Sequence, residues 1–494
     1  MRIKKRNKRR QFFIFLGFFL LMMFLWSCET EQSLARSRQK AAEKGLLKAV
    51  VFKGMQPEKM NLMERMQYYR VPGVSLAVID KLRVEWTMGY GFRRAGENNS
   101  ITPETVFQAA SLSQPVAGQT ALHYVRTGKF QLNTGVNRLL RSWKLWEGDN
   151  INQREVTLFD LLTHTAGLVE WTFNGYSPDE EIPSSEQILE GLKPANSPCL
   201  RIVYSPGSEV RISELGFFLL QRLLEDVLDK PFADAASESV LKPLAMKRSA
   251  FSAVLPEALA GNAAVGHLRD GEPVKGGYNR YPELAAAGLW STPNDMAVFV
   301  IDIMKTALGE SDHVISPEAA RAMLTPHVGN RGLAFKVEDE GDDLYFTIRG
   351  RNHGFECVLV AYPVRRQGVV IMTNSDNGSY LIDEILRGVS AVYEWPHFQQ
   401  EVKTLYRLDP SIYKQYVGRY EINPEYILDV KFEDYYLVIQ PTGQAPTKFY
   451  VENPSMFFST DPLIRIRFTR DETGRVNGLM LYQRDFSMKG RKIN

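Results

Sequence analysis

FQAASLSQPVAGQTAL, residues 107–122, is the stretch around which the rest of the chain is interpreted. Small residues lead into Ser111, and apolar residues then recur at helical spacing through Val116 and Ala121. Pro115 fits the first turn of such a helix, where its missing N–H has no intrahelical partner. The pattern predicts that Ser111 lies at the mouth of a buried helix.

This segment resembles the nucleophile region of the superfamily of serine β-lactamases, D-alanyl-D-alanine carboxypeptidases and class C esterases. The resemblance implies Ser111 as the nucleophile. It also implies an α/β (α+β), β-lactamase/transpeptidase-like fold, with an antiparallel central sheet flanked by helices and an all-helical lobe. The family has Ser-x-x-Lys here, whereas this chain has Gln114 in place of the lysine. A glutamine amide can hydrogen-bond the hydroxyl but cannot take its proton.

Two further motif positions of the family are also changed. Ile212 stands where the family has its proton-relaying tyrosine, and Glu214 stands where it has Asn or Gly. On a strand near the C-terminal end of the domain, Ile348 replaces the family's His or Lys, while Gly350 is retained. Because catalytic groups that depend on each other lose most of their effect together, these losses predict impaired catalysis. We therefore expect a protein that binds an acyl-peptide or cell-wall-like ligand.

An active serine hydrolase is the alternative prediction. Glu214 is close enough in the motif to serve as a substitute base if burial raises its pKa. Arg349, Arg351 or His353 could offer positive charge to a substrate, but strand alternation turns both arginines away if Ile348 faces the site. A purely structural role, or a role of the C-terminal domain alone, also stays open.

Framework segments support the same resemblance. VTLFDLLTHTAGL (residues 156–168) is similar to a family segment that supports the nucleophile helix, so we predict a packing role for His164. In AAAGLWSTPNDMAVF (residues 285–299), Thr292 is predicted to cap a helix that begins at Pro293.

The N-terminus predicts export. A basic segment and a short apolar stretch read as a signal peptide over residues 1–27, and the following Cys28 resembles a lipidation site. An uncleaved anchor or simple secretion are the alternatives, and all three place the rest of the chain outside the cytoplasm. The lipid-anchored alternative, which we predict, places the protein in the bacterial cell envelope, attached to a membrane and facing the periplasm or the exterior. Removing residues 1–27 leaves 53 Lys and Arg against 57 Asp and Glu, so charge gives no argument for nucleic-acid binding.

Composition changes suggest four segments. They are the signal peptide (residues 1–27), a lipidated tether (28–54), the β-lactamase-related domain (55–400) and a small all-β, barrel-like C-terminal domain (401–494). No cofactor or metal is expected, because neither metal-ligand spacing nor a phosphate-binding glycine loop occurs. The three cysteines do not form a disulfide framework. The expected partners are an acyl-peptide or cell-wall-like small ligand and the membrane, to which the N-terminal lipid attaches the protein; the sequence specifies no oligomeric state.

Overall fold

The computed structural model describes residues 31–146, 154–483 and 486–493. These residues form two compact units. The first comprises the described residues of Met1–Ser37 together with Met63–Ile382, and the second comprises Arg38–Leu62 together with Asp383–Asn494. The predicted signal peptide and Cys28 lie outside the described residues.

The strands are short, and most of them pair antiparallel. They are β1 (Val50–Phe52), β2 (Gly73–Asp80), β3 (Arg83–Gly91), β4 (Phe107–Gln108), β5 (Ala250–Phe251), β6 (Leu289–Ser291), β7 (Lys336–Glu338), β8 (Tyr345–Asn352), β9 (Phe355–Tyr362), β10 (Gln367–Thr373), β11 (Glu401–Lys403), β12 (Gly418–Asn423), β13 (Tyr426–Glu433), β14 (Tyr436–Pro441), β15 (Thr447–Asn453), β16 (Met456–Phe458), β17 (Arg465–Arg470), β18 (Val476–Gln483) and β19 (Phe486–Lys492).

The helices are concentrated in the first unit. They are α1 (Leu62–Tyr69), α2 (Ser113–Arg126), α3 (Val136–Leu139), α4 (Leu158–Thr163), α5 (Ser185–Glu190), α6 (Glu214–Leu228), α7 (Phe232–Ala236), α8 (Glu257–Ala260), α9 (Leu284–Ala287), α10 (Pro293–Ala307), α11 (Pro317–Met323), α12 (Gly378–Tyr393) and α13 (Pro410–Lys414). Residues 31–43 are helical as well. Shorter helical turns are Ala110–Leu112, Ser237–Leu241, Lys275–Gly277 and Gly341–Asp343.

A six-stranded antiparallel sheet forms the centre of the first unit, in the order β3-β2-β10-β9-β8-β7. Every residue of β2 is buried, which is the pattern of a strand covered on both faces. In the register of the sheet, Leu76 of β2 lies opposite Met88 of β3 and Ile371 of β10. Helix α10 packs against β2, β3 and β10, so it covers one face of the sheet.

The start of α10 has the predicted cap. The Thr292 hydroxyl accepts a hydrogen bond from the Asp295 N–H at 3.1 Å, and Pro293 occupies the first helical position. A side-chain cap of this kind satisfies a backbone donor that has no partner within the helix. The helix therefore begins where the sequence predicts it.

Helices α2, α6, α7 and α9 pack against one another and form a helical lobe around a common apolar core. Their sequences explain this arrangement, because α2 is buried from Ser113 to Leu122 and α6 is buried over most of its length. A small sheet in the order β4-β6-β5 joins the lobe. It brings Phe107 opposite Ser291, directly before the segment that carries Ser111.

The second unit contains a closed β-barrel of eight antiparallel strands, β12 to β19, in sequence order. Pairing of β12 with β19 closes the barrel. Its interior is filled by packed aromatic and aliphatic side chains, and the rings of Tyr416 and Phe468 stack with their centroids 4.4 Å apart. The barrel of the second unit thus has a packed apolar core.

The segment predicted as a tether has secondary structure of its own. Strand β1 pairs in parallel with β11, with Val51 opposite Val402, so residues 50–52 belong to the second unit. Among the described residues, no helix combines the length and the apolar composition that crossing a membrane requires.

Candidate active site

Ser111 lies in a tight helical turn, Ala110–Leu112, between strand β4 and helix α2. Residues on both sides of the turn hydrogen-bond to Leu289 of β6. The Ala109 N–H donates to the Leu289 carbonyl at 2.8 Å, and the Leu289 N–H donates to the Ser113 hydroxyl at 3.0 Å. Ala110 has φ +49°, a conformation that is strained for a residue with a Cβ. The fold thus holds Ser111 in a fixed, partly solvent-accessible position at the start of α2.

Glu214 is the first residue of α6, and its side chain reaches Ser111. The Ser111 hydroxyl donates a hydrogen bond to Glu214 Oε1 at 3.0 Å, and the Phe173 N–H donates to Glu214 Oε2 at 2.7 Å. The Glu214 N–H in turn donates to the Trp171 carbonyl at 2.8 Å. Both oxygens of this carboxyl group are therefore engaged, and its orientation towards Ser111 is fixed.

The environment of Glu214 makes its carboxyl group an unusually weak acid. Its side chain is only 4% exposed, and burial raises its pKa to about 7, against the opposing effect of the hydrogen bonds from Phe173 and Ser111. A carboxyl group with a pKa near neutrality can accept a proton and return it at the same pH. This is the property that a general base at a serine nucleophile needs.

Strand β8 approaches the backbone of Ser111 through Gly350. A Cβ added to Gly350 would lie 2.8 Å from the Ser111 backbone nitrogen, closer than side-chain carbons are found. Arg349 and Arg351, on either side of it, are exposed, and Arg351 Nε lies 3.6 Å from Glu356 Oε1. Because successive residues of a strand point to opposite faces, Gly350 lies against the nucleophile and both arginine side chains are directed to solvent.

The three replaced positions bring no acid or base to Ser111. Gln114 is buried in α2, and its amide makes no hydrogen bond within the described residues. Ile212 is 38% exposed, and Ile348 packs against the main apolar core. Of the residues predicted to contribute, the structure therefore joins Ser111, Glu214 and Gly350 into one cluster.

His164 supports the segment that leads into Glu214. The Arg211 N–H donates to the His164 carbonyl at 2.8 Å, and the Ser213 N–H lies 3.5 Å from His164 Nδ1. Burial, together with the nearby Arg331 cation, lowers the pKa of His164 to about 3, so the imidazole is neutral at physiological pH. These contacts are consistent with the packing role predicted for His164.

Two buried residues near Glu214 were not identified from the sequence. The Tyr281 hydroxyl accepts a hydrogen bond from the His353 N–H at 3.0 Å and donates to the Asn174 carbonyl at 3.1 Å. Glu283 is fully buried. The only available signal was an acidic residue within an otherwise apolar run, residues 281–290, and a single sequence does not show where that residue points.

The described residues contain no group of three or more His, Cys, Asp or Glu side chains arranged to hold a metal ion.

A model of the Beta-lactamase family matches residues 60–391. The chain belongs to the Beta-lactamase family. The match includes Ser111, Glu214 and Gly350, and it confirms the resemblance and the predicted fold class: a mixed α/β domain with an antiparallel sheet and helices, here with a C-terminal eight-stranded barrel.

The chain is only distantly similar to the individual proteins with which it was compared. A β-lactamase of Pseudomonas fluorescens is 24% identical over 62% of this chain and 74% of its own length. An unguisins hydrolase of Aspergillus campestris is 27% identical over 52% of this chain, and the match spans 47% of that relative. The octameric penicillin-binding protein homologue of Pyrococcus abyssi has the same fold, with 18% identity, a TM-score of 0.56, and coverage of 87% of this chain and 98% of its own.

Proposed function

We propose that this member of the Beta-lactamase family is a serine hydrolase in which Glu214 replaces the missing base. The observation that carries the proposal is the 3.0 Å hydrogen bond from the Ser111 hydroxyl to Glu214 Oε1. General-base assistance is typically worth ~10²- to 10⁴-fold in rate, so one suitably placed base supports acyl transfer even where other partners are lost.

In the first half of the reaction, Ser111 Oγ attacks the carbonyl carbon of an ester or amide, and its proton passes to ionised Glu214. The Ser111 N–H, whose nitrogen lies close to Gly350, is the donor that we assign to the developing oxyanion. Glu214, now protonated, gives this proton to the leaving group as the bond from the carbonyl carbon to the leaving group breaks. An acyl group is then attached to Ser111 Oγ.

In the second half, Glu214 is again ionised and takes a proton from a water molecule that attacks the acyl carbon. The bond to Ser111 Oγ breaks, and the proton on Glu214 returns to the serine. The carboxyl group therefore ends the cycle in the state in which it began. A base with a pKa near neutrality suits this double role, because it must both accept and release a proton.

We propose acyl-peptides and cell-wall-like amides or esters as the substrate class. Two relatives support this class, since one is named a hydrolase of unguisins and another a β-lactamase. The resemblance assigns positions 212 and 348 to polar partners of the nucleophile, and isoleucines there would make the surroundings of Ser111 more apolar. We therefore expect uncharged, apolar groups next to the scissile bond.

A second candidate is a protein that binds such ligands without turning them over. It is favoured by the replacement of three polar partners of Ser111, at Gln114, Ile212 and Ile348. In that case the Ser111–Glu214 hydrogen bond would be a structural contact. The two candidates differ in one property, which is whether Ser111 forms a covalent acyl or phosphonyl adduct.

The test is intact-mass measurement of the full chain after incubation with a fluorophosphonate and, separately, with a penicillin. Variants are Ser111→Ala, Glu214→Gln and, as a control at another buried acid, Asp302→Asn. The serine-hydrolase proposal expects an adduct on the parent and on Asp302→Asn, no adduct on Ser111→Ala, and much slower labelling of Glu214→Gln. An unlabelled parent, beside a labelled active member of the family, would support the non-catalytic candidate.

For location, we propose a lipid-anchored protein of the bacterial cell envelope, attached through Cys28. The support is the signal-peptide pattern over residues 1–27 followed by this cysteine. Lipidation would attach the mature protein to the membrane. Fractionation of cells fed with a radiolabelled fatty acid tests this proposal: the parent should carry label in the membrane fraction, and Cys28→Ser should carry none.

A further inference from the structure

Tyr281 takes no part in the chemical steps proposed for Ser111, but its hydroxyl joins two parts of the site. The His353 N–H donates to this hydroxyl at 3.0 Å, and the hydroxyl donates to the Asn174 carbonyl at 3.1 Å. His353 directly follows strand β8, which carries Gly350. One hydroxyl group therefore links the end of the strand beside the nucleophile to the segment that contains Asn174.

That segment, residues 173–176, also binds the carboxyl group of Glu214. Phe173 donates its N–H to Glu214 Oε2 at 2.7 Å. Only one peptide unit separates this N–H from the Asn174 carbonyl that Tyr281 engages. Because peptide units are planar and stiff, a shift of the carbonyl displaces the donor to Glu214 as well.

The segment pairs with residues 279–281. The Tyr176 N–H donates to the Arg280 carbonyl at 2.9 Å, and the Arg280 N–H donates to the Tyr176 carbonyl at 2.8 Å. The Asn279 side-chain amide donates to the Asn174 carbonyl at 3.0 Å, so this carbonyl accepts two side-chain hydrogen bonds. Backbone pairing thus fixes one end of the segment, and two side-chain donors fix its middle.

The ring of Tyr281 also lies against the backbone of the segment. A Cβ added to Gly175 would be 2.6 Å from Tyr281 Cζ, and Gly175 has φ +70°, a conformation that favours glycine. Tyr281 is buried, and burial raises the pKa of its hydroxyl, which therefore keeps its proton over the pH range in which Glu214 ionises. The hydroxyl is a donor to the Asn174 carbonyl throughout that range.

We propose that Tyr281 is a positioning residue for the general base of this site. By fixing the Asn174 carbonyl, its hydroxyl keeps the Phe173 N–H in place on the carboxyl group of Glu214. Its effect on Ser111 passes through that segment and through Glu214. The functional part of this inference rests on the proposed serine-hydrolase activity, whereas the contact between Tyr281 and the segment does not.

Loss of the Tyr281 hydroxyl has a definite consequence for the pKa of Glu214. Burial raises that pKa, and the hydrogen bond from the Phe173 N–H opposes the rise. When the segment shifts and this bond lengthens, the carboxylate loses part of its stabilisation, and the pKa rises further. Ionised Glu214, and with it activated Ser111, then appears at a higher pH.

The charges around Glu214 stay the same in such a variant. Tyr281 and Glu283 are ionisable groups on which the charge of Glu214 acts, and burial raises the pKa of each. Both are therefore largely uncharged at about pH 7, so Tyr281→Phe removes no charge and leaves Glu283 in place. A change in the pKa of Glu214 then comes through the hydrogen bonds of the segment.

The first experiment follows hydrogen–deuterium exchange of peptides that cover residues 171–177 in the full chain, and it does not depend on the reactivity of Ser111. Exchange there should be several-fold faster in Tyr281→Phe than in the parent, because the segment has lost a hydrogen bond. Tyr420→Phe is the matched control, since it removes a buried hydroxyl that donates to the Tyr416 carbonyl at 2.9 Å in the barrel. Equal exchange in the two variants would overturn the proposal.

The second experiment measures the rate of fluorophosphonate labelling of Ser111 against pH. In Tyr281→Phe the midpoint should move to higher pH by about half a unit to one unit, since the weakened hydrogen bond is one to a charged group. Below the midpoint, at about pH 6, labelling should be about 3- to 10-fold slower than in the parent. A slower rate with an unchanged midpoint would contradict an action through Glu214.

Asn279→Ala is a second variant for both measurements. It removes the other side-chain donor to the Asn174 carbonyl and leaves the buried ring of Tyr281 in place. Its exchange and its labelling midpoint should change in the same direction as in Tyr281→Phe, while Tyr420→Phe should match the parent. A midpoint that moves to lower pH in Asn279→Ala would contradict the proposed path through this carbonyl.

The two experiments separate this inference from the proposed function. A parent that is not labelled would overturn the serine hydrolase, and with it the positioning of a general base, while faster exchange in Tyr281→Phe would still support the contact with the segment. A labelled parent, together with a Tyr281→Phe variant that exchanges and reacts like Tyr420→Phe, would overturn the inference and leave the serine hydrolase in place.

Discussion

Gly350 lies directly against the backbone nitrogen of Ser111, at a separation that excludes any side chain on Gly350. A Cβ at this position would be 2.8 Å from Ser111 N and 2.8 Å from Cys357 Sγ. The two residues come from distant parts of the chain, and strand β8 and the Ala110–Leu112 turn bring them together. This contact defines how closely the central sheet can approach the nucleophile.

We therefore predict that Gly350→Ala weakens the reactivity of Ser111 and destabilises the first unit. The added methyl group must displace either the Ser111 turn or the buried Cys357 side chain, and overpacking of this kind typically costs about 1–3 kcal/mol. Labelling kinetics and urea unfolding are the measurements. Gly261→Ala is the matched control, since a Cβ there meets no atom within 4 Å. Equal effects of the two substitutions would contradict the assigned contact.

The pH dependence of Ser111 reactivity should follow Glu214. The pKa of this carboxyl group is raised from 4.5 to about 7, and only its ionised form can accept the serine proton. Labelling should therefore be slow in acid and increase as the pH rises through about 7. In Glu214→Gln the rate should be ~10²- to 10⁴-fold lower, and this pH-dependent rise should be lost. A parent rate that does not change between pH 5.5 and 8.5 (about 1.5 units either side of that pKa) would contradict the role of Glu214.

Gln114 should contribute little, although the resemblance places it at the position of the family's lysine. Its side chain is largely buried, and its amide makes no hydrogen bond to another described residue. Replacing this amide by an apolar group of similar size breaks no hydrogen bond to a described residue and leaves no partner unsatisfied. Gln114→Leu should therefore label within about threefold of the parent, a change of less than ~1 kcal/mol. A loss as large as that of Glu214→Gln would show that Gln114 takes part in activating Ser111.

The sequence predicted the framework of the site more completely than its chemistry. Local sequence patterns were enough to predict the helix after Ser111, the cap at Thr292 and the retained Gly350. Such features are determined by residues that are neighbours in the chain. Glu214 was named as a possible base, but its distance from Ser111 depends on how α6 packs against α2, which no local pattern specifies.

Glu283 is an example of a feature that could not be predicted from the sequence. Its neighbours in sequence are apolar, and its buried place follows from the packing of α9, the helix that it precedes, against α6. The short strand β1 is a similar case, since its partner β11 is about 350 residues away in the chain. Both features depend on pairing between distant segments, whereas a single sequence carries mainly local information.

The last prediction concerns stability, for which the sign of the pKa shift is decisive. The pKa of Glu283 is raised from 4.5 to about 8, so the folded state binds this proton more tightly than the unfolded state does. The contribution of this group to the free energy of unfolding should be largest below about pH 4.5, and it should fall as the pH rises towards 8. Glu283→Gln removes this dependence, because an amide does not ionise.

The variant should therefore gain stability relative to the parent as the pH rises, by on the order of a few kcal/mol between about pH 5 and about pH 8.5. Urea unfolding at the two pH values measures this difference, with Glu257→Gln as a control at an exposed acid. A pH-independent loss is also expected, since the buried amide lacks partners, and it affects both measurements equally. A difference between parent and Glu283→Gln that stays constant with pH would show that Glu283 ionises as easily in the folded protein as in the unfolded chain.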